Sequence, residues 1–194
     1  LYVATVATKP RINVTGVLGL GLTWREAVVQ CAGRSQTGLA VWVAQGTPTG
    51  AGVVSASLAT STTAAAIAVT HYSNVSSAAL GNIVSGNSNG VAGACSGGVD
   101  QNAWNLSLPI DNAGATAFVA VARRSRTHNA VGFNVLANVS AGTAGNTAGL
   151  VLGVLGLGRV RDSSVGSVCE RVARRANKDV LIVKHLPKDD QQRA

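Results

Sequence analysis

The first 150 residues contain short apolar or alternating segments separated by turn residues, and they show no helical periodicity. Residues 39–44 form an apolar run, whereas residues 53–58 alternate apolar side chains with serine. Strict alternation predicts a strand with one buried face, and a short apolar run between turns predicts a fully buried strand. Further strands are predicted at residues 1–8, 12–17, 24–30, 64–72, 102–108, 115–122 and 131–139, with a Gly- and Asn-rich loop at 81–98.

The amino-acid composition agrees with a β-rich fold. Small and β-branched residues dominate, and only 12% of the 194 residues are charged. Such a composition is poor for helical bundles and common in secreted β-rich proteins. An apolar content of 46% argues against disorder. We therefore predict a mainly β protein whose residues 1–150 form an antiparallel β-sandwich of the jelly-roll or immunoglobulin-like kind.

The density of charge changes near residue 150. Residues 1–150 carry seven Lys or Arg and three acids, whereas residues 151–194 carry nine Lys or Arg and five acids. This change predicts a domain boundary near residue 150, with residues 151–194 forming a separate C-terminal segment.

The net charge of +8 and the pI near 10.3 raise the question of a nucleic-acid partner. Aromatic residues make up only 4% of the chain, too few for a base-stacking platform. A positive, solubilising surface is favoured over nucleic-acid binding. The longest apolar stretches, residues 64–69 and 149–158, are shorter than the roughly 20 residues that span a bilayer. We therefore do not expect an integral membrane protein.

Three cysteines are present, Cys31, Cys95 and Cys169. Because Cys169 lies in the basic C-terminal segment, Cys31 and Cys95 are the natural pair for a disulfide in an oxidising compartment. The alternative is that both are small buried thiols. No cysteine or histidine stands at metal-ligand spacing, so no metal site is predicted.

Four residues near the C terminus follow a glycine pattern: Gly153, Gly156, Gly166 and Ser167. Two residues lie between Gly153 and Gly156, and nine residues lie between Gly156 and Gly166. Ser167 follows Gly166 directly. A glycine-rich loop before a helix N-terminus suits a phosphate. This pattern resembles the nucleotide-binding stretch of the universal stress protein family. The resemblance implies a β-loop-α-β segment, with a helix at 168–176 and a strand at 180–183, that binds ATP through these four residues.

The rest of the chain departs from that family. In that family, the first strand ends in an acidic residue that contacts the nucleotide. In this chain, Val6 stands at the equivalent position. Residues 11–150 also lack the intervening β-α units, and a lone β-loop-α-β unit cannot bury both faces of a parallel sheet. We therefore expect the chain to bind ATP weakly or not at all.

Several segments of residues 1–150 resemble a β-sandwich module of large secreted or surface bacterial proteins. The resemblance implies an extracellular location and a sandwich architecture, without an agreed activity. It is carried by residues 19–24, 30–34, 37–46, 71–74, 93–98 and 124–128.

No catalytic residues are predicted. Eight acidic residues leave few general acids or bases, and His71, His128 and His185 have no carboxylate near them in sequence. Two tryptophans, Trp24 and Trp104, remain candidates for stacking on a carbohydrate, whereas Trp42 lies in an apolar run and is expected in the core. Of the four N-x-[ST] sequons, at Asn13, Asn74, Asn105 and Asn138, the one at Asn74 lies next to a predicted turn and is the best glycosylation candidate.

The sequence thus favours an extracellular or cell-surface structural or adhesive subunit without a cofactor. We expect a homo-oligomer or polymer formed by strand pairing. Residues 1–8, separated from the rest by Pro10, are the predicted assembly strand, with Tyr2, Ala4 and Val6 on one face. The alternative is a cytoplasmic, universal-stress-type protein that binds ATP.

Overall fold

The computed structural model describes residues 1–50, 52–73, 75, 80–99, 106–109, 116–123, 134–143 and 146–156, all within the compact unit Leu1–Leu157. This part of the chain is built from antiparallel β-sheets and contains no helix. Its strands in chain order are β1 (Tyr2–Lys9), β2 (Val14–Gly19), β3 (Arg25–Cys31), β4 (Gly38–Ala44), β5 (Val54–Leu58), β6 (Ala64–His71), β7 (Gly86–Asn87), β8 (Gly90–Val91), β9 (Thr116–Arg123), β10 (Asn134–Ala141) and β11 (Ala148–Gly156).

A four-stranded sheet in the order β3-β4-β1-β6, here called the middle sheet, contains the N-terminal strand. β1 pairs with β4 on one side and with β6 on the other, and both registers run without interruption. β1 ends at Lys9, which a cis peptide bond joins to Pro10. Since proline has no backbone N–H to donate, the ladder stops there.

Both faces of β1 are buried, and alternate side chains contact different neighbours. Ala4 and Val6 pack with Val14 and Val17 of β2. Ala7, on the opposite face, packs with residues of β11. This two-sided burial explains why Val3–Thr8 are small or β-branched residues rather than alternating apolar and polar ones.

A three-stranded sheet in the order β10-β11-β9 packs on the face of the middle sheet that carries Ala7. β11 is its central strand, and the side chains of Leu150 and Leu152 are completely buried. The two-stranded sheet β2-β5 packs on the opposite face, over β1 and β4. The short pair β7-β8 lies beside β3.

The prediction of a mainly β protein is confirmed, and most predicted strands lie within a few residues of observed ones. Of the predicted strand at residues 102–108, the described part, 106–108, is not in a strand. β11 runs across residue 150, where the charge density had predicted a boundary, and the compact unit continues to Leu157. The loop, helix and second strand predicted after β11 lie outside the described residues.

Candidate functional site

A disulfide joins Cys31, at the end of β3, to Cys95, in the Gly- and Asn-rich loop, so the predicted pair is confirmed. Their separation of 64 residues makes this a long covalent loop. Cys31 is buried and Cys95 is half-buried. We call residues 85–99, which carry Cys95 and the β7-β8 pair, the strap.

Side-chain amides attach the strap to the end of β3. The Asn87 amide nitrogen donates to the carbonyl oxygens of Cys31 and Gly93, each at 2.8 Å, and to that of Ala94 at 3.1 Å. The Gln30 amide of β3 donates to the carbonyls of Cys31 at 3.1 Å and Gly93 at 3.2 Å. These amides therefore bond the carbonyl of Cys31 in β3 and carbonyls of the strap that no sheet ladder pairs.

Further hydrogen bonds connect the strap to the turn between β3 and β4. The Ser35 hydroxyl donates to the carbonyl oxygen of Cys95 at 2.8 Å, and the backbone N–H of Gly98 donates to the carbonyl oxygen of Gly33 at 2.9 Å. Within the strap, the Asn89 amide donates to the carbonyls of Ala94 and Ser96 at 2.7 and 2.9 Å. Nothing in the sequence marked this cluster, because its acceptors are main-chain carbonyls that only the fold brings together.

The two edges of the middle sheet differ in how far they are protected against pairing with another strand. On β3, Ala27 is an extra residue in the register with β4, Arg25 and Glu26 are exposed, and the strap lies beside the strand end. Bulges, charged side chains and covering loops each prevent edge-to-edge association. β3 has all three.

The opposite edge strand, β6, has neither a bulge nor a charged side chain, and β10 packs against it without pairing with it. Its eight residues pair with β1 in an unbroken register and include no Lys, Arg, Asp or Glu. No described strand pairs with its other side. By contrast, edge strand β10 has an extra residue at Leu136, and β9 ends in Arg123. A long, regular and uncharged edge is the kind that accepts a further strand.

An apolar groove of about 110 Å³ lies between β6 and β5. It arises because the two-stranded sheet β2-β5 packs over β1 and β4 and leaves the same face of β6 partly uncovered. Ile67 and Val69 of β6 are therefore exposed. The groove is lined by Val6, Ala56, Leu58, Ala65, Ala66 and Ile67.

Residues 1–8 do not lie apart from the sheet, and their predicted role as an assembly strand stays a prediction. Tyr2, Ala4 and Val6 do share one face of β1, but they face β2-β5 and the stacked ring of His71 rather than a free surface. Both edges of β1 are paired within the chain. Pro10 marks the end of the strand, not its separation from the sheet.

Two of the four residues in the glycine pattern lie in β11, and the other two, Gly166 and Ser167, lie outside the described residues. Gly153 pairs with Val119 on one side and Val135 on the other, and Gly156 pairs with Thr116. Both glycines are therefore in an antiparallel ladder instead of a loop. Val6, where the family has an acid, is buried in β1.

The remaining candidates are placed as follows. His71 is exposed and stacks on Tyr2 with ring centroids 4.5 Å apart. Trp24 is buried and its indole N–H donates to the carbonyl of Gly19 at 3.1 Å, so its ring is not an open platform. Of the sequon asparagines, Asn13 and Asn138 are exposed. The candidates outside the described residues are Asn74, Asn105, Trp104, His128 and His185.

No cluster of three or more His, Cys, Asp or Glu able to hold a metal ion occurs among the described residues. The same part of the chain contains no helix that is both long and apolar enough to cross a membrane. No protein-family model, curated protein or solved structure matches the chain.

Proposed function

We propose that this protein is an extracellular structural or adhesive subunit with a β-sandwich architecture, and that its copies associate by strand pairing at β6. The observation that carries the proposal is the contrast between the two edges of the middle sheet. β3 has a bulge, charges and a covering loop, whereas β6 is regular and uncharged. A sheet with one protected edge and one regular, uncharged edge is suited to adding a strand at the uncharged edge.

The side chains of β6 support a defined register for such an added strand. Main-chain hydrogen bonds supply affinity in strand addition, and alternate side chains that enter pockets supply specificity. Ile67 and Val69 project on the side of the groove, and the residues that line the groove all have apolar side chains. An incoming strand with apolar side chains at alternate positions would cover both residues and fill the groove.

The charge distribution also favours β6. Copies of a chain with a net charge of +8 repel one another, so contact is least costly where no charge lies. If β6 pairs with β6 of a second copy, the contact closes into a two-fold dimer. If β6 pairs with a different edge of the next copy, the contact repeats as an open fibre.

Two further observations support an extracellular sandwich. The Cys31–Cys95 disulfide is typical of proteins that fold in an oxidising compartment. The core contacts of β1 with β2 on one face and with β11 on the other are those expected of stacked antiparallel sheets. The ATP-binding alternative has less support, because Gly153 and Gly156 lie in the ladder of β11.

The proposal is tested by placing charges on the β6 edge of the full chain. We expect the unmodified protein to form oligomers whose size grows with concentration in sedimentation velocity. A variant carrying Ile67→Lys and Val69→Lys should remain monomeric with an unchanged far-UV circular dichroism spectrum. Negative-stain electron microscopy distinguishes a closed dimer from a fibre.

The matched control carries Val91→Lys and Val99→Lys, which add the same two charges at exposed apolar positions of the strap. This control should assemble as the unmodified protein does. A protein that stays monomeric at high concentration, or a β6 variant that still assembles, would show that β6 is not the assembly edge.

A further inference from the structure

We propose that the Cys31–Cys95 disulfide makes the strap redox-sensitive: an external dithiol releases residues 85–99 from the end of β3 and leaves the sheets folded. The inference concerns this chain alone and does not depend on assembly at β6. It rests on three observations: hydrogen bonds attach the strap, none of the strap residues is buried, and Cys95 is half-buried.

The strap contributes nothing to the described core. None of its residues is buried, and none belongs to the core clusters that join β1 with β2 or with β11. Valines Val91 and Val99 are exposed. A segment without apolar burial opens locally at a lower free energy than the strands around the core.

Among the described residues, apart from the disulfide, the polar contacts that attach the strap are hydrogen bonds to the β3 end and the turn after it. They are donated by Asn87, Gln30, Ser35 and the backbone of Gly98. Each of these bonds contributes a modest net free energy, because all four donors are half-buried or exposed and can bond water when the strap opens. Ordering the whole strap costs conformational entropy that these bonds alone do not offset.

Reduction of the disulfide removes the covalent attachment of the strap to β3 and breaks no bond within the sheets. The half-buried Cys95 is on the strap, whereas the buried Cys31 is anchored in β3. A thiolate of the dithiol attacks one sulfur and forms a mixed disulfide, which the second thiol resolves. The Cys31–Cys95 bond breaks, the dithiol is oxidised to its own disulfide, and two electrons and two protons convert the cysteines to thiols.

Release of the strap would also uncover part of the β3 edge. The β7-β8 pair lies beside β3, and Asn87 and Gln30 connect the two. With the strap open, the bulge at Ala27 and the charges at Arg25 and Glu26 remain as the protection of that edge. The redox state therefore changes how much of the middle sheet is accessible.

Hydrogen–deuterium exchange of the full chain, with and without a dithiol reductant, tests the inference. Peptides covering residues 85–99 should exchange at least about tenfold faster after reduction. Peptides covering β1, β4 and β11 should remain far better protected than the strap, although loss of the cross-link also lowers global stability. A variant carrying Cys31→Ser and Cys95→Ser, measured without reductant, should reproduce the pattern.

Two results would overturn the inference. If the strap keeps its protection after complete reduction, the amide cluster alone holds it. If all peptides lose protection together, the disulfide sustains the whole fold and no local opening exists. Mass spectrometry after thiol alkylation verifies that Cys31 and Cys95 were reduced in each sample.

Discussion

Val6 and Ile67 lie opposite each other in the pairing of β1 with β6, yet Val6 is 1% exposed and Ile67 is 37% exposed. Directly opposed side chains in an antiparallel pair project from the same face of the sheet. The change in burial therefore occurs between two adjacent strands on one face. The sheet β2-β5 ends between these two strands. Because this sheet has only two strands and does not cover β6, it leaves both the groove and the exposed side chains of β6.

This change in burial predicts different effects for the same substitution on the two strands. Val6→Ala removes two buried methyl groups and should lower the free energy of unfolding by about 2 kcal/mol. Val69→Ala on β6 removes the same atoms from a side chain that is 39% exposed, and should cost less than about 1 kcal/mol. Urea denaturation of both variants measures the difference, and equal losses would show that β6 is covered as completely as β1.

A second prediction concerns the close approach of Gly98 to Gly33. A β-carbon on Gly98 would lie 2.9 Å from the α-carbon of Gly33 and 2.6 Å from the Ser88 hydroxyl oxygen. Since main-chain atoms cannot easily move away, Gly98→Ala should destabilise the protein by about 1–3 kcal/mol or detach the strap.

The control for this substitution is Gly81→Ala, because a β-carbon at Gly81 meets no atom within 4 Å. Thermal unfolding and amide exchange of residues 85–99 measure the two possible effects. If Gly98→Ala and Gly81→Ala behave alike in both measurements, the approach of Gly98 to Gly33 does not constrain the strap.

The disulfide should also contribute to global stability through the unfolded chain. Closing a loop of 64 residues removes entropy from the unfolded state worth about 4 kcal/mol. A variant with Cys31→Ala and Cys95→Ala should lose about this amount in urea denaturation, and the unmodified protein in dithiol should match it. A loss below about 1 kcal/mol would contradict the entropic account for this chain.

The strand positions were predictable because alternation and turn residues are local signals. Sheet order was not, because pairing is set by contacts far apart in sequence. The expectation that residues 1–8 lie apart from the sheet was wrong for this reason: Pro10 shows that the strand ends, but nothing local shows that β4 and β6 lie on either side of it. The uniformly small and β-branched residues of Val3–Thr8 were the available signal of two-sided burial.

The spacing of Gly153 and Gly156 illustrates the same limit of local patterns. Two glycines separated by Val154 and Leu155 suit a phosphate loop, but the same four residues also suit a buried strand. The structure places them in β11, paired on both sides at Gly153. The prediction of weak or absent ATP binding stays open to calorimetric titration, where micromolar affinity lost in Gly156→Val would contradict it.

Deleting residues 1–8 distinguishes an assembly strand from a central strand. An assembly strand can be removed from a domain that still folds. Removing β1 leaves β4 and β6 without the strand that joins them and exposes the core on both faces. We therefore expect the shortened chain to lack cooperative unfolding in circular dichroism, and a folded, monomeric product would instead support the assembly role of residues 1–8.

Truncation at two positions tests where the described domain ends. Deleting residues 151–194 removes most of β11, including Val151 and Leu152, from the centre of the three-stranded sheet. The packing of the middle sheet on Leu152 is then lost, so this chain should be unfolded or strongly destabilised. Deleting residues 158–194 keeps all of β11 and should preserve cooperative unfolding at a similar urea midpoint. Circular dichroism and urea denaturation compare the two chains. If the chain that ends at residue 150 folds as well as the one that ends at Leu157, the boundary lies where the change in charge density predicted it.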